Sequence, residues 1–244
     1  MLTIIIPTLQ KSVSTLELLL RTLNDDDAVG EIIVVDNSLK GLDINLAKLR
    51  VITPNENLYV NPSWNLGVQE AKFEKIGLLN DDIAIPKDFC TNIEKYITEN
   101  IGIIGGGPDS VIPQNQIDSL PKSSSLLIEP VKCRNFNYGI AMFFHKKSYF
   151  MIPDDIKIFF GDDWIFVKNL KNKKENFVVT NCELYHLGSL TSGEPIYNSW
   201  FAADKEAYLK NIRTWYEYIF SFEITDKHYK IKFLGITFSI KKHF

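Results

Sequence analysis

Cysteine is scarce in this 244-residue chain: Cys90, Cys133 and Cys182 are the three, and they stand far apart. With no CxxC pair and no Cys/His cluster, a zinc ribbon or a disulfide scaffold is excluded, and free thiols in a reducing compartment fit. A basic surplus is missing too. Lys and Arg number 27 against 30 Asp and Glu, a formal net charge of −3. Nucleic-acid-binding domains carry a clear positive excess, so no nucleic-acid partner is expected. No apolar run approaches the ~18–20 residues needed to span a bilayer. The opening Met1–Pro7 segment has neither the basic region nor the apolar length of a secretion leader, so a cytoplasmic location is expected. Glycine (13) and proline (10) are not enriched, which excludes collagen-like and low-complexity chains. Hydrophobic residues at 45% and charged residues at 23% exclude disorder of the whole chain.

What is present is an alternation. Thr3–Ile6, Glu31–Val35, Leu49–Ile52 and Ile76–Leu79 are short, continuous apolar runs that read as buried strands. Between them, Ser12–Leu23 spaces Leu16, Leu19, Leu20 and Leu23 as one helical face, with Ser12 or Ser14 as cap. Pro62–Lys72 and Pro86–Asn100 read as further helices. Strands that are apolar throughout belong to parallel sheets covered on both faces. The expected fold is therefore α/β, a doubly wound, mostly parallel sheet, which binds ligands beyond the C-terminal ends of its strands. The polar residues ending these strands, Thr8, Asp36, Asn55–Asn57 and Asp81–Asp82, then gather on one rim. Further on, Gly102–Ser125, with its Gly105-Gly106-Gly107-Pro108 break, reads as a long loop. Tyr138–Phe144 reads as a strand entered through Gly139, and Trp164, Val167 and Leu170 mark a helix opened by Asp162-Asp163. Trp200–Phe222 reads as helical and Tyr229–Ile240 as a hairpin around Gly235.

The sharpest local signal is Asn80-Asp81-Asp82 at the end of a buried strand. Two adjacent carboxylates repel unless a cation or hydrogen-bond donors compensate them, and hard divalent cations bind one or two carboxylates together with phosphate oxygens. A plain polar turn is the competing reading. Asp36 is open to two readings, a ligand contact or a turn residue that satisfies backbone N–H groups. Asp162 and Asp163 sit where the helix dipole favours carboxylates whatever their role.

Taken in order, these features resemble the large inverting family of A-type-fold (GT-A) glycosyltransferases that use nucleotide-diphosphate sugars, especially its bacterial rhamnosyl- and galactosyltransferase-like members. The resemblance rests on Ile4-Ile-Ile-Pro7-Thr8, Ile32-Ile-Val-Val35-Asp36-Asn37-Ser38, and Asn57-Leu-Tyr-Val-Asn-Pro-Ser-Trp-Asn65-Leu-Gly67. It continues with Leu79-Asn80-Asp81-Asp82, Asp162-Asp163, and His186 followed by Ser189, and covers about residues 1–195. It implies a nucleotide-sugar site built from Pro7, Thr8, Asp36, Asn57, Asn65, Asn80 and Asp81. Asp82 and His186 would hold a divalent cation, Mn²⁺ or Mg²⁺, an imidazole suiting Mn²⁺ better. Asp163 would be the general base for an acceptor hydroxyl, with Asp162 as cap or acceptor anchor. The implied acceptor is a glycan or a lipid-linked sugar in surface polysaccharide or lipo-oligosaccharide synthesis. Two departures stand out: Asn80 holds the first place of the family's D-x-D metal motif, and Tyr59 and Pro62 replace small residues.

The resemblance divides the chain into a catalytic domain over 1–195, with a nucleotide-binding half (1–100) and an acceptor half (101–195), and an extension over 196–244. From Lys227 onward there are five lysines and no acidic residue. With Tyr229, Phe233, Phe238 and Phe244 between them, this tail suits peripheral contact with an anionic leaflet, or equally a solvated edge hairpin. The aromatic run Trp215–Phe220 reads as core or dimer contact, which leaves a homo-oligomer open. A rival from another class is a sugar- or nucleotide-binding module that kept the fold and lost the chemistry. Asp82, Asp163 and His186 together argue against it, since a binder needs no base.

Overall fold

The computed structural model describes residues 1–106, 111–113, 119–122, 125–135, 137–188, 196–213, 220–224, 228–233 and 236–241. The chain forms two compact units, Met1–Lys205 and Glu206–Phe244.

In the first unit the N-terminal strands form as their apolar runs demand. β1 (Leu2–Thr8) pairs in parallel with β2 (Val29–Asp36) on one side and β4 (Lys75–Leu79) on the other, and β3 (Leu49–Ile52) adds outside β2. The chain thus leaves β1 in one direction, to β2 and β3, and returns on the other side at β4. That reversal is the switch point at which a doubly wound sheet opens a crevice. The eight-stranded order is completed by β9 (Ala141–His145), β6 (Ile103–Gly106), β10 (Asn176–Val179) and β8 (Ile128–Val131). β9 runs antiparallel to both β4 and β6, and β8 runs antiparallel to β10. The expected mostly parallel α/β sheet is the fold observed.

Helices cover both faces. Leu16, Leu19, Leu20 and Leu23 of α1 (Val13–Asp25) pack on Ile4 and Ile6, all fully buried. Each such side chain contributes about 1.5–3 kcal/mol relative to exposure. Alternation turns Ile5 to the other face, where α2 (Val60–Glu70) lies so close that a Cβ on Gly67 would fall 2.3 Å from Ile5 Cγ2. Ser12 precedes α1 but makes no capping bond to the backbone; its hydroxyl donates to Thr15 Oγ1 at 2.9 Å.

The middle of the chain departs from expectation. Ile103–Gly106 is not loop but a buried strand inside the sheet. Gly105 serves close approach: the Tyr138 ring lies over it, 2.6 Å from where a Cβ would stand. A glycine in a strand marks such contact as well as a break. The helix expected over Pro86–Asn100 is confined to α3 (Phe89–Glu94). Tyr138–Ile140 is one 3₁₀ turn, and the strand begins only at Ala141. A small sheet joins β5 (Ile83–Ala84), β11 (Leu184–His186) and β7 (Val111–Pro113). α4 (Gly161–Lys171) carries the second acidic pair, and α5 (Ile196–Ile212) starts in the first unit.

In the second unit, β12 (Phe220–Ile224), β13 (His228–Phe233) and β14 (Ile236–Lys241) form an antiparallel sheet, so the expected hairpin has a third strand. The aromatic run at 215–219, Gly235 and Phe244 lie outside the described residues. Among the described residues no helix is long and apolar enough to cross a membrane.

Candidate active site

A cleft of about 270 Å³ opens at the β1–β4 switch point. Pro7, Thr8 and Leu9 line it from the end of β1, Asn37 from the end of β2, and Asp81 and Asp82 from the end of β4. Asn57, Tyr59 and Val60 contribute a wall before and within α2, and Ile158, Tyr197 and Trp200 close the far side. Among the described residues, Lys11 is the one cation of this lining.

The two carboxylates at the end of β4 are held unequally. Thr8 Oγ1 donates to Asp81 Oδ2 at 2.5 Å, bridging the two switch-point strands. Burial still pushes the Asp81 carboxyl up to about 6, with the Asp82 charge adding to the shift and Thr8 opposing it. Asp82 is reached from across the small sheet. β11 pairs antiparallel with β5, setting His186 opposite Ile83, and Leu187 N donates to Asp82 O at 2.9 Å. His186 Nε2 then lies 3.3 Å from Asp82 Oδ1. That oxygen is buried and receives no hydrogen bond. A buried carboxylate oxygen without a donor is costly unless a cation answers it. Among the described residues no group of three or more His, Cys, Asp or Glu converges on one point. The donor set of Asp82 and His186 therefore fits a divalent cation that takes its remaining ligands from phosphate or water. Asn80 lies just outside the cleft lining, and its backbone N–H donates to Ile140 O at 2.9 Å.

Asp36 does not line this cleft. It is fully buried and folds the following turn, accepting from Ser38 N (3.0 Å), Ser38 Oγ (2.6 Å) and Gly41 N (2.8 Å). Burial acts to raise its pKa, but these bonds and one from Gln10 outweigh it and hold the carboxyl below the usual range. Its neighbour Asn37 lines the cleft instead. Asn37 donates to Ser63 Oγ (2.9 Å) and Tyr59 O (3.2 Å) and accepts from Leu58 N (2.9 Å). Asn57 Oδ1 accepts from Tyr59 N at 2.8 Å. These bonds hold Tyr59 at φ 65°, a left-handed backbone that a bulky residue rarely adopts. Asn65 points away from the site, tying α2 to the 149–152 segment. It donates to Ile152 O (2.8 Å) and accepts from Ile152 N (3.0 Å) and Tyr149 Oη (2.8 Å).

The second acidic pair stands outside this cleft lining and brings a residue that sequence reading missed. Arg134 places Nη1 3.0 Å from Asp162 Oδ2, while its Nε and Nη2 donate to Asp163 Oδ1 and Oδ2 at 2.7 and 3.0 Å. Burial pushes the Asp162 carboxyl above the usual range, against the pull of Arg134 and helped by the Asp163 charge. A Cβ on Gly139 would sit 2.6 Å from Asp162 Oδ2, so glycine there makes the room. Asn80 is bonded to Ile140, the residue after Gly139, so the two acidic pairs belong to neighbouring stretches of one rim. No spacing rule links Arg134 to a pair 28 residues further along; its only sequence signal was an unassigned opposite charge.

Tyr197 and Trp200 were also missed as site residues. The Trp200 ring packs on Tyr59 with centroids 4.8 Å apart, so α5 supplies an aromatic wall.

Comparison with solved structures fits this architecture. The chain superposes on S. aureus TarS 1–349 with a TM-score of 0.53 at 15% identity, covering 87% of this chain and 72% of that one. The complexes of TarS 1–349 with UDP and with UDP-GlcNAc both give a TM-score of 0.55, at 14% and 15% identity. They cover 88% of this chain and, respectively, 76% and 68% of theirs. At this identity the likeness shows the fold, an A-type glycosyltransferase fold. No curated protein sequence matches the chain. Residues 3–170 match glycosyl transferase family 2. The chain belongs to that family and is a glycosyltransferase.

Proposed function

We propose that this glycosyltransferase moves one sugar from a nucleotide-diphosphate donor to a hydroxyl of a glycan or lipid-linked acceptor, with inversion at the anomeric carbon. The observation that carries the reading is the switch-point cleft, where Thr8, Asn57, Asp81 and Asp82 meet and where Asp82 faces His186 with an unanswered buried oxygen.

Pro7, Thr8, Asn37 and Asn57 bind the nucleotide side of the donor, and the aromatic wall of Tyr59 and Trp200 excludes water from it. Asp82 and His186 hold a divalent cation, Mn²⁺ or Mg²⁺, which when bound supplies Lewis-acid stabilisation of the departing diphosphate. Asp163 takes the proton of the acceptor hydroxyl as that oxygen attacks the anomeric carbon. Arg134 aims Asp163 through its two hydrogen bonds, leaving lone pairs on a carboxylate that has about four acceptor sites. Asp162, raised by burial, anchors the acceptor as a hydrogen-bond partner.

The second unit supports contact with an anionic membrane surface at the cytoplasmic face, where a lipid-linked acceptor in surface polysaccharide or lipo-oligosaccharide synthesis would be found. Phe233, Ile236, Phe238 and Ile240 are 48–62% exposed, beside a lysine-rich, acid-free stretch of sequence.

Thermal shift with a panel of nucleotides and nucleotide sugars, with and without Mn²⁺, tests the donor site. Uridine nucleotides come first, because TarS of the same fold was solved with UDP and UDP-GlcNAc. Metal-dependent stabilisation by one nucleotide is the expected result. Stabilisation by free sugar alone, indifferent to metal, would overturn the reading. For the second unit, removal of residues 226–244 should abolish sedimentation with anionic liposomes, and equal sedimentation would end the membrane assignment.

A further inference from the structure

Sequence reading passed over Asp204, in the middle of α5. The structure buries it almost completely, at 1% exposure. Its carboxylate accepts three consecutive backbone N–H groups: Lys157 at 2.9 Å on Oδ1, and Ile158 and Phe159 at 2.7 and 2.8 Å on Oδ2. From the other side Asn61, also fully buried, donates to Ile156 O (3.2 Å) and Phe159 O (3.0 Å), and its own N–H bonds Lys157 O at 2.9 Å. Six backbone groups of the 156–159 segment are thus held by two residues, Asp204 and Asn61.

What this segment carries gives the fastening its meaning. Ile158 enters the cleft. Phe160, next in the chain, sits at φ 62°, a left-handed backbone costing a non-glycine residue about 1–2 kcal/mol. It caps the start of α4, two residues ahead of Asp162, and Trp164 N bonds Phe160 O at 2.9 Å. The Phe159 and Phe160 rings both rest on Phe201, at centroid distances of 5.2 and 5.1 Å. A strained residue persists only where its surroundings over-determine it. Here Asp204 and Phe201, three residues earlier in a stretch that also carries Trp200, do so.

We infer that Asp204 is a positioning residue for the transfer reaction: by clamping residues 157–159 it sets the direction in which α4 delivers the Asp162–Asp163 pair and the place where Ile158 meets the donor. The inference rests on the proposed roles of that pair and of the cleft. It does not make Asp204 a catalytic residue, since its carboxylate is consumed by backbone bonds.

The test uses the full chain with Asp204→Asn and Asp204→Ala. Asn keeps one acceptor oxygen, so it remains measurable should Ala fail to fold. Displacing catalytic groups by an ångström costs about 10²-fold, and removal of supporting partners about 10–100-fold. Expected are a 10–100-fold fall in kcat for Asn at a temperature where the variant is folded, a larger fall for Ala if it folds, and nucleotide affinity within about threefold of the parent. Hydrogen exchange should speed up over 157–163 while β1, β2 and β4 stay protected. Unchanged kcat, or kcat, nucleotide affinity and global exchange protection all falling in step, would overturn the inference, the second by showing a merely structural role. Asp163→Asn is measured alongside. If that variant turns over normally, the base assignment fails. The exchange change confined to 157–163 in Asp204→Asn still decides whether the clamp sets the segment.

Discussion

Two pairs of neighbouring aspartates stand on the same rim, and they are compensated in opposite ways. Asp81 and Asp82 face a cleft, with a threonine hydroxyl on one and an imidazole near the other, and one buried oxygen receives no donor. Asp162 and Asp163 are gripped by a guanidinium that addresses both carboxylates within 3.0 Å. Adjacent acids are therefore not one motif. The first pair is short of positive charge and suits a cation from outside; the second has its countercharge built in and suits groups that must be held in one orientation.

That contrast can be broken most forcefully at Asp163. Asp163→Asn should lower turnover about 10²–10⁴-fold, the range of general-base catalysis, with nucleotide binding retained. Steady-state kinetics beside calorimetric titration of the nucleotide would show it, and normal turnover would remove the second pair from the chemistry. Asp82→Asn should act on the other side of the comparison, abolishing the metal-dependent part of donor binding. Binding that stays metal-dependent would place the cation elsewhere.

Stability should separate the pairs as well. Replacing Arg134 by Gln strands two carboxylates, and breaking such a pair costs about 3–5 kcal/mol when fully buried. Arg134 is about a quarter exposed (26%), so about 2 kcal/mol is expected in urea unfolding. Asp82→Asn, which removes an uncompensated charge, should cost far less or stabilise the chain. Gly139→Ala sharpens the point by geometry, since its methyl would meet Asp162 Oδ2 at 2.6 Å, whereas Gly106→Ala meets nothing nearer than 3.5 Å. The first should impair turnover in a folded protein and the second should not.

The smallest effect belongs to an ion pair remote from both. Glu94 is held below its ordinary pKa chiefly by the hydrogen bond from Lys75, with the N-terminal ammonium adding. Its folded pKa is depressed, so its contribution is present above the unfolded value near 4.5 and lost as pH falls through the lower folded one. Glu94→Gln should cost a few tenths of a kcal/mol at pH 7, because the partners are partly solvated. The difference in Tm from the parent should vanish in acid.

Legibility followed the range of the signal. Leu16, Leu19, Leu20 and Leu23 announced a helix face, and Ile4, Ile33 and Leu78 announced buried strands, because burial pattern is local. Pro7, Thr8, Asn57, Asp81 and Asp82 were legible in the cleft because a parallel sheet brings its strand ends to one edge. Asn65 shared a segment with Asn57 yet serves the 149–152 segment, since the face a helix presents is settled by its neighbours. Gly105 read as part of a break because the partner that demands glycine there, Tyr138, lies more than thirty residues away.

The sequence by itself determined the strand-and-helix alternation, the polar strand ends and the family, all carried by side chains within a few residues of each other. Only the tertiary structure decided that Arg134 answers the second acidic pair, that His186 reaches Asp82 through a sheet pairing, and that Asp204 clamps the backbone leading to α4. Each of those depends on chain segments brought together by burial of the core, and charge or hydrogen-bonding capacity in a sequence does not state the address of its partner.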